Sequence, residues 1–168
     1  LPEHAGHLVY LFTFSKAYAM SGWRAGYMVM PPVLRSEIVK IHDLNMICTP
    51  RISQIAALAA LRQGPGHLPE FQQVLGRRRD LICARLDRLA HVFAYIRPEG
   101  AYYVFPRILA PHRNAVQFAN DLLDQAGVTA TPGSAFGPSG EHHLRMAYCV
   151  EEDVINQAFD RMEAHFGT

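Results

Sequence analysis

The stretch Thr13–Tyr27, TFSKAYAMSGWRAGY, contains Lys16, one of only two lysines in the 168-residue chain, the other being Lys40. Ser15 places a hydroxyl directly before that lysine, and Thr13 places another two residues further back. Arg24 follows, between Gly22-Trp23 and Ala25-Gly26. A lysine amine with a depressed pKa condenses with aldehydes to a Schiff base. Hydroxyls beside a guanidinium fork hold a phosphate through charge-assisted hydrogen bonds. An imine-forming amine with a phosphate anchor close by is the set of parts that a pyridoxal-phosphate site requires. A Schiff-base lysine working without a cofactor would leave the hydroxyls and the arginine unexplained.

The flanking sequence predicts a strand on either side of this stretch. Residues 1–7 read as a loop. Leu8–Phe12 is a continuous apolar run, expected as a buried strand that delivers Thr13, Ser15 and Lys16 at its C-terminal end, where ligands bind in open α/β sheets. Ala25–Met30, closed by Pro31-Pro32, predicts the next strand of the same sheet. From Val33 the period changes: Leu34, Ile38, Ile41 and Leu44 recur at helical spacing. Thr49-Pro50 predicts an N-cap followed by proline at the first helical position, and the alanine-rich run Ile52–Leu61 predicts a helix buried on most sides. Arg51 in its first turn opposes the helix dipole by roughly a few tenths of a kcal/mol and reads as a solvated side chain.

Gln63-Gly64-Pro65-Gly66 is the clearest break, and the expected domains are residues 1–63 and 64–168. A long helix follows with Phe71, Val74, Leu75, Leu81, Ile82, Leu86 and Leu89 as its apolar stripe, and Arg77-Arg78-Arg79 as a solvated face. Val92–Ile96 and Ala101–Phe105 read as strands joined through the turn Pro98-Glu99-Gly100. Asn114–Gln125 is amphipathic and is stopped by Gly127. Val128–Thr131 and His142–Cys149 read as two more short strands. A last helix opens on Glu151-Glu152-Asp153 and is expected to bury Val154, Ile155, Ala158, Phe159 and Met162. The second half is therefore expected to be α+β, a small sheet with helices on one face.

The stretch Ser15–Tyr27 resembles the cofactor-lysine signature of the class I and II aminotransferases of fold type I, including the lysine-to-arginine spacing and the flanking glycines. Pro98–Tyr103, Pro132–Gly137 and Leu144–Tyr148 resemble the small-domain motifs of the same family, in the family's order. The resemblance implies the end of a cofactor-binding large domain, a mixed sheet with helices, followed by a small C-terminal α+β domain. It implies pyridoxal 5'-phosphate linked to Lys16, with Thr13, Ser15 and Arg24 on the phosphate. It implies an amino acid and a 2-oxo acid as substrates, with Arg145 on the α-carboxylate, and a homodimer. The family's pyridinium-binding aspartate, its tyrosine near the cofactor's phenolic oxygen and its ring-stacking aromatic residue all precede the lysine region. The chain is accordingly expected to be the C-terminal portion of a longer enzyme and inactive alone. Two alternatives stand beside amino transfer: a non-catalytic folded module, and another fold-type-I chemistry, such as a lyase or decarboxylase, in the parent.

Composition narrows the partners. A net charge of +1 gives no electrostatic reason to expect nucleic acid or a membrane surface. The nine histidines are scattered, and no His-x3-His or Cys-x2-Cys spacing points to zinc. Cys48, Cys83 and Cys149 lie far apart in apolar settings and are expected as buried, reduced thiols of a cytoplasmic protein.

Overall fold

A computed structural model describes residues 6–109 and 114–167, so most of the expected N-terminal loop lies outside the described residues. Strands β1 (Tyr10–Thr13) and β2 (Gly26–Val29) pair antiparallel, with Tyr10 opposite Val29 and Thr13 opposite Gly26. Gly26 is required there, because a Cβ at this position would stand 2.6 Å from the Phe12 carbonyl oxygen. The expectation of a buried strand over Leu8–Phe12 is corrected. Leu8, Val9, Tyr10 and Leu11 are all exposed, Leu11 by 68%. Among the described residues β1 and β2 form a two-stranded ribbon, and Phe12, Phe14, Tyr18 and Tyr27 form an aromatic cluster against it.

The helical spacing after Val33 is realised as α1 (Pro32–Met46) and α2 (Arg51–Gln63). Burial of α2 on most sides is not. Only Ser53 and Ala57 are buried, with Ala57 packing on Phe14 and Ala25, while Ile52, Ile55, Leu58 and Leu61 face outward. The helix start also differs by one position. Pro50 is the N-cap rather than the first helical residue, and Thr49 contributes its carbonyl, which accepts from Gln54 Nε2 at 2.7 Å, instead of a side-chain cap.

The described residues form two compact units that divide between Pro69 and Glu70, inside α3 (Leu68–Arg88). In the second unit Ile82 and Leu86 of α3, with Leu89 just past its end, join Phe118 and Leu122 of α4 (Ala115–Ala126) and Ile155, Phe159 and Met162 of α5 (Glu152–Phe166) in one core. Helix α4 has both of its expected ends. Asn114 Oδ1 accepts the Gln117 N–H at 2.9 Å in a capping box, and Gly127, at φ 63°, takes the left-handed conformation that ends the helix. On α5 the expected burial of Val154 fails; it is 52% exposed, one position before the buried Ile155.

The strands of this unit are shorter than expected and pair differently from simple sequence neighbours. β3 (Phe93–Ala94) pairs with β5 (Arg107–Ile108). A three-stranded sheet has β7 (Leu144–Ala147) at its centre, flanked by β4 (Tyr103–Val104) and β6 (Thr131–Pro132). Tyr103 stands opposite Ala147, and Val104 opposite Met146. Alternation along the strands sends Val104, Leu144 and Met146 into the core and leaves Tyr103, Arg145 and Ala147 on the other face.

Two further expectations change. The Arg77–Arg79 run is not simply solvated: Arg78 Nη2 pairs with Glu151 at 2.6 Å, Arg77 with Glu152 at 3.7 Å and Arg79 with Asp80 at 3.0 Å, so the first two join α3 to the start of α5. Of the cysteines only Cys83 is buried, whereas Cys48 and Cys149 are exposed. Burial pushes the Cys83 thiol above its ordinary pKa, as expected for an inert core thiol.

A charged cluster inside the helical layer was not legible as such. Arg85, on α3, donates from Nε to Glu163 at 2.9 Å and from Nη2 to Asp160 at 2.5 Å, and Arg88 reaches the other Glu163 oxygen at 2.5 Å. Glu163 is only 8% exposed. Removing Glu163 would leave the buried Arg85 with Asp160, a mostly exposed partner, so the cost lies at the lower end of the about 3–5 kcal/mol of a fully stranded buried charge. Glu163→Ala is therefore expected to destabilise the second unit by about 3 kcal/mol, Arg88 being also half in solvent. Urea unfolding followed by far-ultraviolet circular dichroism checks this; a shift of the midpoint worth under about 1 kcal/mol would reduce the cluster to ordinary surface ion pairs.

Candidate active site

The first unit gathers Thr13, Ser15, Lys16 and Arg24 at one end of the β1–β2 ribbon. The pairing of Thr13 with Gly26 is extended by Phe14, whose N–H donates to the Ala25 carbonyl at 3.2 Å. Ser15 and Arg24 therefore leave the two strands at the same end. Phe14, 2% exposed, and Ala25, 7% exposed, are the buried pins between them. Thr13 Oγ1 donates to Ser15 Oγ at 3.0 Å and accepts the Ser15 backbone N–H at 3.2 Å, which sets both hydroxyls side by side. Arg24 has φ 51° and ψ 46°, the left-handed region, and its Nη1 donates to the Ser21 carbonyl at 3.0 Å. The left-handed backbone of Arg24, at the end of the 3-10 turn Ser21–Trp23, thus puts an exposed guanidinium at the end of the ribbon that carries the hydroxyls.

Lys16 is exposed, at the start of a tight loop. The Ala19 N–H donates to the Lys16 carbonyl at 3.1 Å, and the Met20 N–H to the Phe14 carbonyl at 3.3 Å. Ala19 has φ 51°, a conformation that costs a non-glycine residue on the order of 1 kcal/mol. His67 braces this loop from far along the chain: its Nε2–H donates to the Ala17 carbonyl at 2.6 Å and its ring lies 5.3 Å from that of Tyr18. That carbonyl contact fixes the proton on Nε2. His67 carried no sequence signal, since it follows Gly66 in the segment read only as a chain break.

Arg145 belongs to the second unit and sits half-buried on β7. Its Cζ lies 4.6 Å from the ring centroid of Tyr103 and 4.6 Å from that of Phe136, and Nη2 donates weakly to Thr131 Oγ1 at 3.4 Å. Among the described residues no carboxylate pairs with it, in contrast to Arg78, Arg85, Arg88 and Arg97 of the same unit. Phe136 comes from the short 3-10 turn Gly133–Phe136 that follows β6. That turn is closed by two buried glycines: a Cβ on Gly133 would clash with the Gly140 carbonyl and stand 2.7 Å from that of His143. Beyond it, the His143 imidazole stacks flat on Phe105, with centroids 4.9 Å apart. Burial, then the charges of Arg107 and His142, hold that imidazole below the usual histidine range.

The donor set of the first unit suits an anion that carries an aldehyde. It offers two neighbouring hydroxyls, a guanidinium and a primary amine within one short segment. The second unit offers a charged fork without a protein counter-ion among the described residues, which suits a carboxylate. No group of metal-ligating side chains is present among the described residues, and no helix among them is long and apolar enough to cross a membrane.

Comparison with known proteins identifies the family. The family model for aminotransferase class I and II matches residues 2–162. The Bacillus subtilis protein YugH, whose name carries the aminotransferase family, is 37% identical over 163 residues, covering 97% of this chain and 42% of its own. An aspartate aminotransferase of Pyrococcus abyssi is 36% identical over 152 residues, covering 89% of this chain and 39% of its own. The crystal structure of an aromatic aminotransferase from Pyrococcus horikoshii superposes with a TM-score of 0.85 at 33% identity, covering 94% of this chain and 42% of that one. The chain belongs to the class I and II aminotransferases, a family dependent on pyridoxal phosphate, and spans well under half the length of these relatives.

The brace at His67 makes a direct prediction. His67→Ala removes one neutral hydrogen bond, worth about 0.5–1.5 kcal/mol net, from the loop behind Lys16. Hydrogen exchange at the Ala19 and Met20 amides is then expected to accelerate about 2- to 12-fold. Unchanged exchange would mean that the loop is held by Phe14 and Tyr18 alone.

Proposed function

We propose that the protein carrying this chain is an aminotransferase that moves an amino group between an amino acid and a 2-oxo acid. The observation that carries the reading is the placement of Lys16 beside Thr13, Ser15 and Arg24 at one end of a strand pair, in a chain of this family. When bound, pyridoxal phosphate supplies an electron sink for the charge that develops at the substrate's α-carbon. Thr13, Ser15 and Arg24 would hold the phosphate group, Ser15 donating its hydroxyl hydrogen while Thr13 orients that hydroxyl, and Arg24 neutralising the charge with a planar fork. Lys16 is the covalent anchor of the cofactor. Its amine would be the base that takes the proton at the substrate's α-carbon.

Arg145 donates a bidentate pair of hydrogen bonds to the α-carboxylate and so fixes that group's orientation. Its freedom from acidic partners among the described residues supports this reading, because an arginine already neutralised would gain little from a ligand.

In this proposal residues 1–63 are the end of the cofactor-binding domain and residues 64–168 the small domain of a fold-type-I transferase. The working protein is a cytoplasmic homodimer. Exposed apolar side chains on α1 and α2, such as Leu44 at 87% and Ile52 at 67%, are surface that the rest of the large domain and the dimer partner would cover.

Kinetics of single variants in the full enzyme test the reading. Lys16→Ala is expected to abolish amino transfer. Arg145→Ala is expected to cost about 2–5 kcal/mol in kcat/KM for every amino and 2-oxo acid while cofactor binding persists. Arg145→Ala kinetics equal to wild type would make Arg145 a structural residue, and transfer surviving in Lys16→Ala would remove the central role from that lysine.

A further inference from the structure

We propose that Phe136, together with Tyr103, is a positioning residue that presents the Arg145 guanidinium edge-on to an incoming carboxylate. The proposal rests on the reading of Arg145 as the carboxylate-binding fork. A guanidinium has two weakly hydrated faces and five donors in its plane. Orientation of so long a side chain usually comes from a protein carboxylate, as Glu163 does for Arg85, but that acid also occupies the donors and neutralises the charge. Arg145 is held differently. Tyr103 belongs to β4 and Phe136 follows β6, the two strands that flank β7, so the rings reach the guanidinium from both sides of its own strand. A contact between a guanidinium carbon and a ring uses no hydrogen-bond donor, so the donors stay available apart from the long bond to Thr131.

Phe136 has few other reasons to be an aromatic residue at this place. It is 53% exposed and takes no part in the hydrophobic core of the second unit. Its ring partners are Arg145 and, at a centroid distance of 6.1 Å, Phe105. Yet the turn that carries it is built to close tolerance, with Gly133 and Gly140 in backbone contact and the Gly133 N–H donating to the His143 carbonyl at 2.7 Å. A rigid turn that ends in a half-exposed ring against a half-buried, acid-free arginine is economical as a holder for that arginine. Core packing would have placed the ring inward.

The test compares wild type with Phe136→Leu, Phe136→Met, Phe136→Tyr and Arg145→Ala in the full enzyme. The readouts are the dissociation constant of propanoate, a carboxylate without an amino group, by calorimetry, and the steady-state constants for an amino acid substrate. Loss of the ring face in Phe136→Leu and Phe136→Met is expected to weaken propanoate binding and raise KM about 3- to 30-fold, with kcat changed much less. Phe136→Tyr keeps the face and is expected to restore both constants. Methionine nearly preserves the volume, so that variant decides the matter if leucine fails to fold. Wild-type propanoate binding in the ring-less variants, a loss confined to kcat, or a failure of tyrosine to rescue would each overturn the proposal. The fate of the underlying reading is seen separately: if Arg145→Ala binds propanoate as well as wild type, the carboxylate role itself is wrong. If Arg145→Ala loses binding and Phe136→Leu does not, only the positioning role falls.

Discussion

The antiparallel register of β4 on β7 is the constraint on which the second unit and the placement of Arg145 both depend. With Val104 opposite Met146, one face of the sheet is committed to the core, and Arg145, between the buried Leu144 and Met146, has to lie on the other. A slip of one residue would bury the guanidinium and expose two core side chains. The burial that stabilises the sheet is thus also what holds the arginine outside the core, so stability and placement of the fork come from the same alternation.

The first unit reaches precision by other means. Its ribbon has little core behind it, and the residues proposed to hold the cofactor are placed by local hydrogen bonds, by the buried pair Phe14 and Ala25, and by a brace from His67. The strained backbone at Ala19 and Arg24 sits on either side of the 3-10 turn Ser21–Trp23, within the segment that carries the proposed chemistry. Strain of this kind persists where surrounding contacts over-determine the conformation. Here those contacts are the Gly26 approach to Phe12 and the cluster of Phe12, Phe14 and Tyr18.

Much of this was legible from residue types and spacing. The helices after Val33, the stop at Gly127 and the neighbouring hydroxyls of Thr13 and Ser15 are local patterns, and these survive into the structure. What escaped depends on long-range pairing. Tyr103 and Phe136 meet Arg145 only because strands distant in sequence share one sheet, and Arg85 meets Glu163 across two helices. The failed burial expectations, at Leu11, at Ile52 and at Cys48, share another cause. Apolar sequence records what a surface is fit to bury and says nothing of which protein lies against it, and these side chains are exposed in the residues described.

Covalent attachment of the cofactor at Lys16 is the central proposal. Borohydride reduction of the full enzyme with pyridoxal phosphate, followed by peptide mass mapping, measures this without reference to any substrate. The account predicts the pyridoxyl group on the peptide containing Lys16 and none on Lys40, the chain's other lysine. Label on Lys40, or on neither lysine, would contradict it.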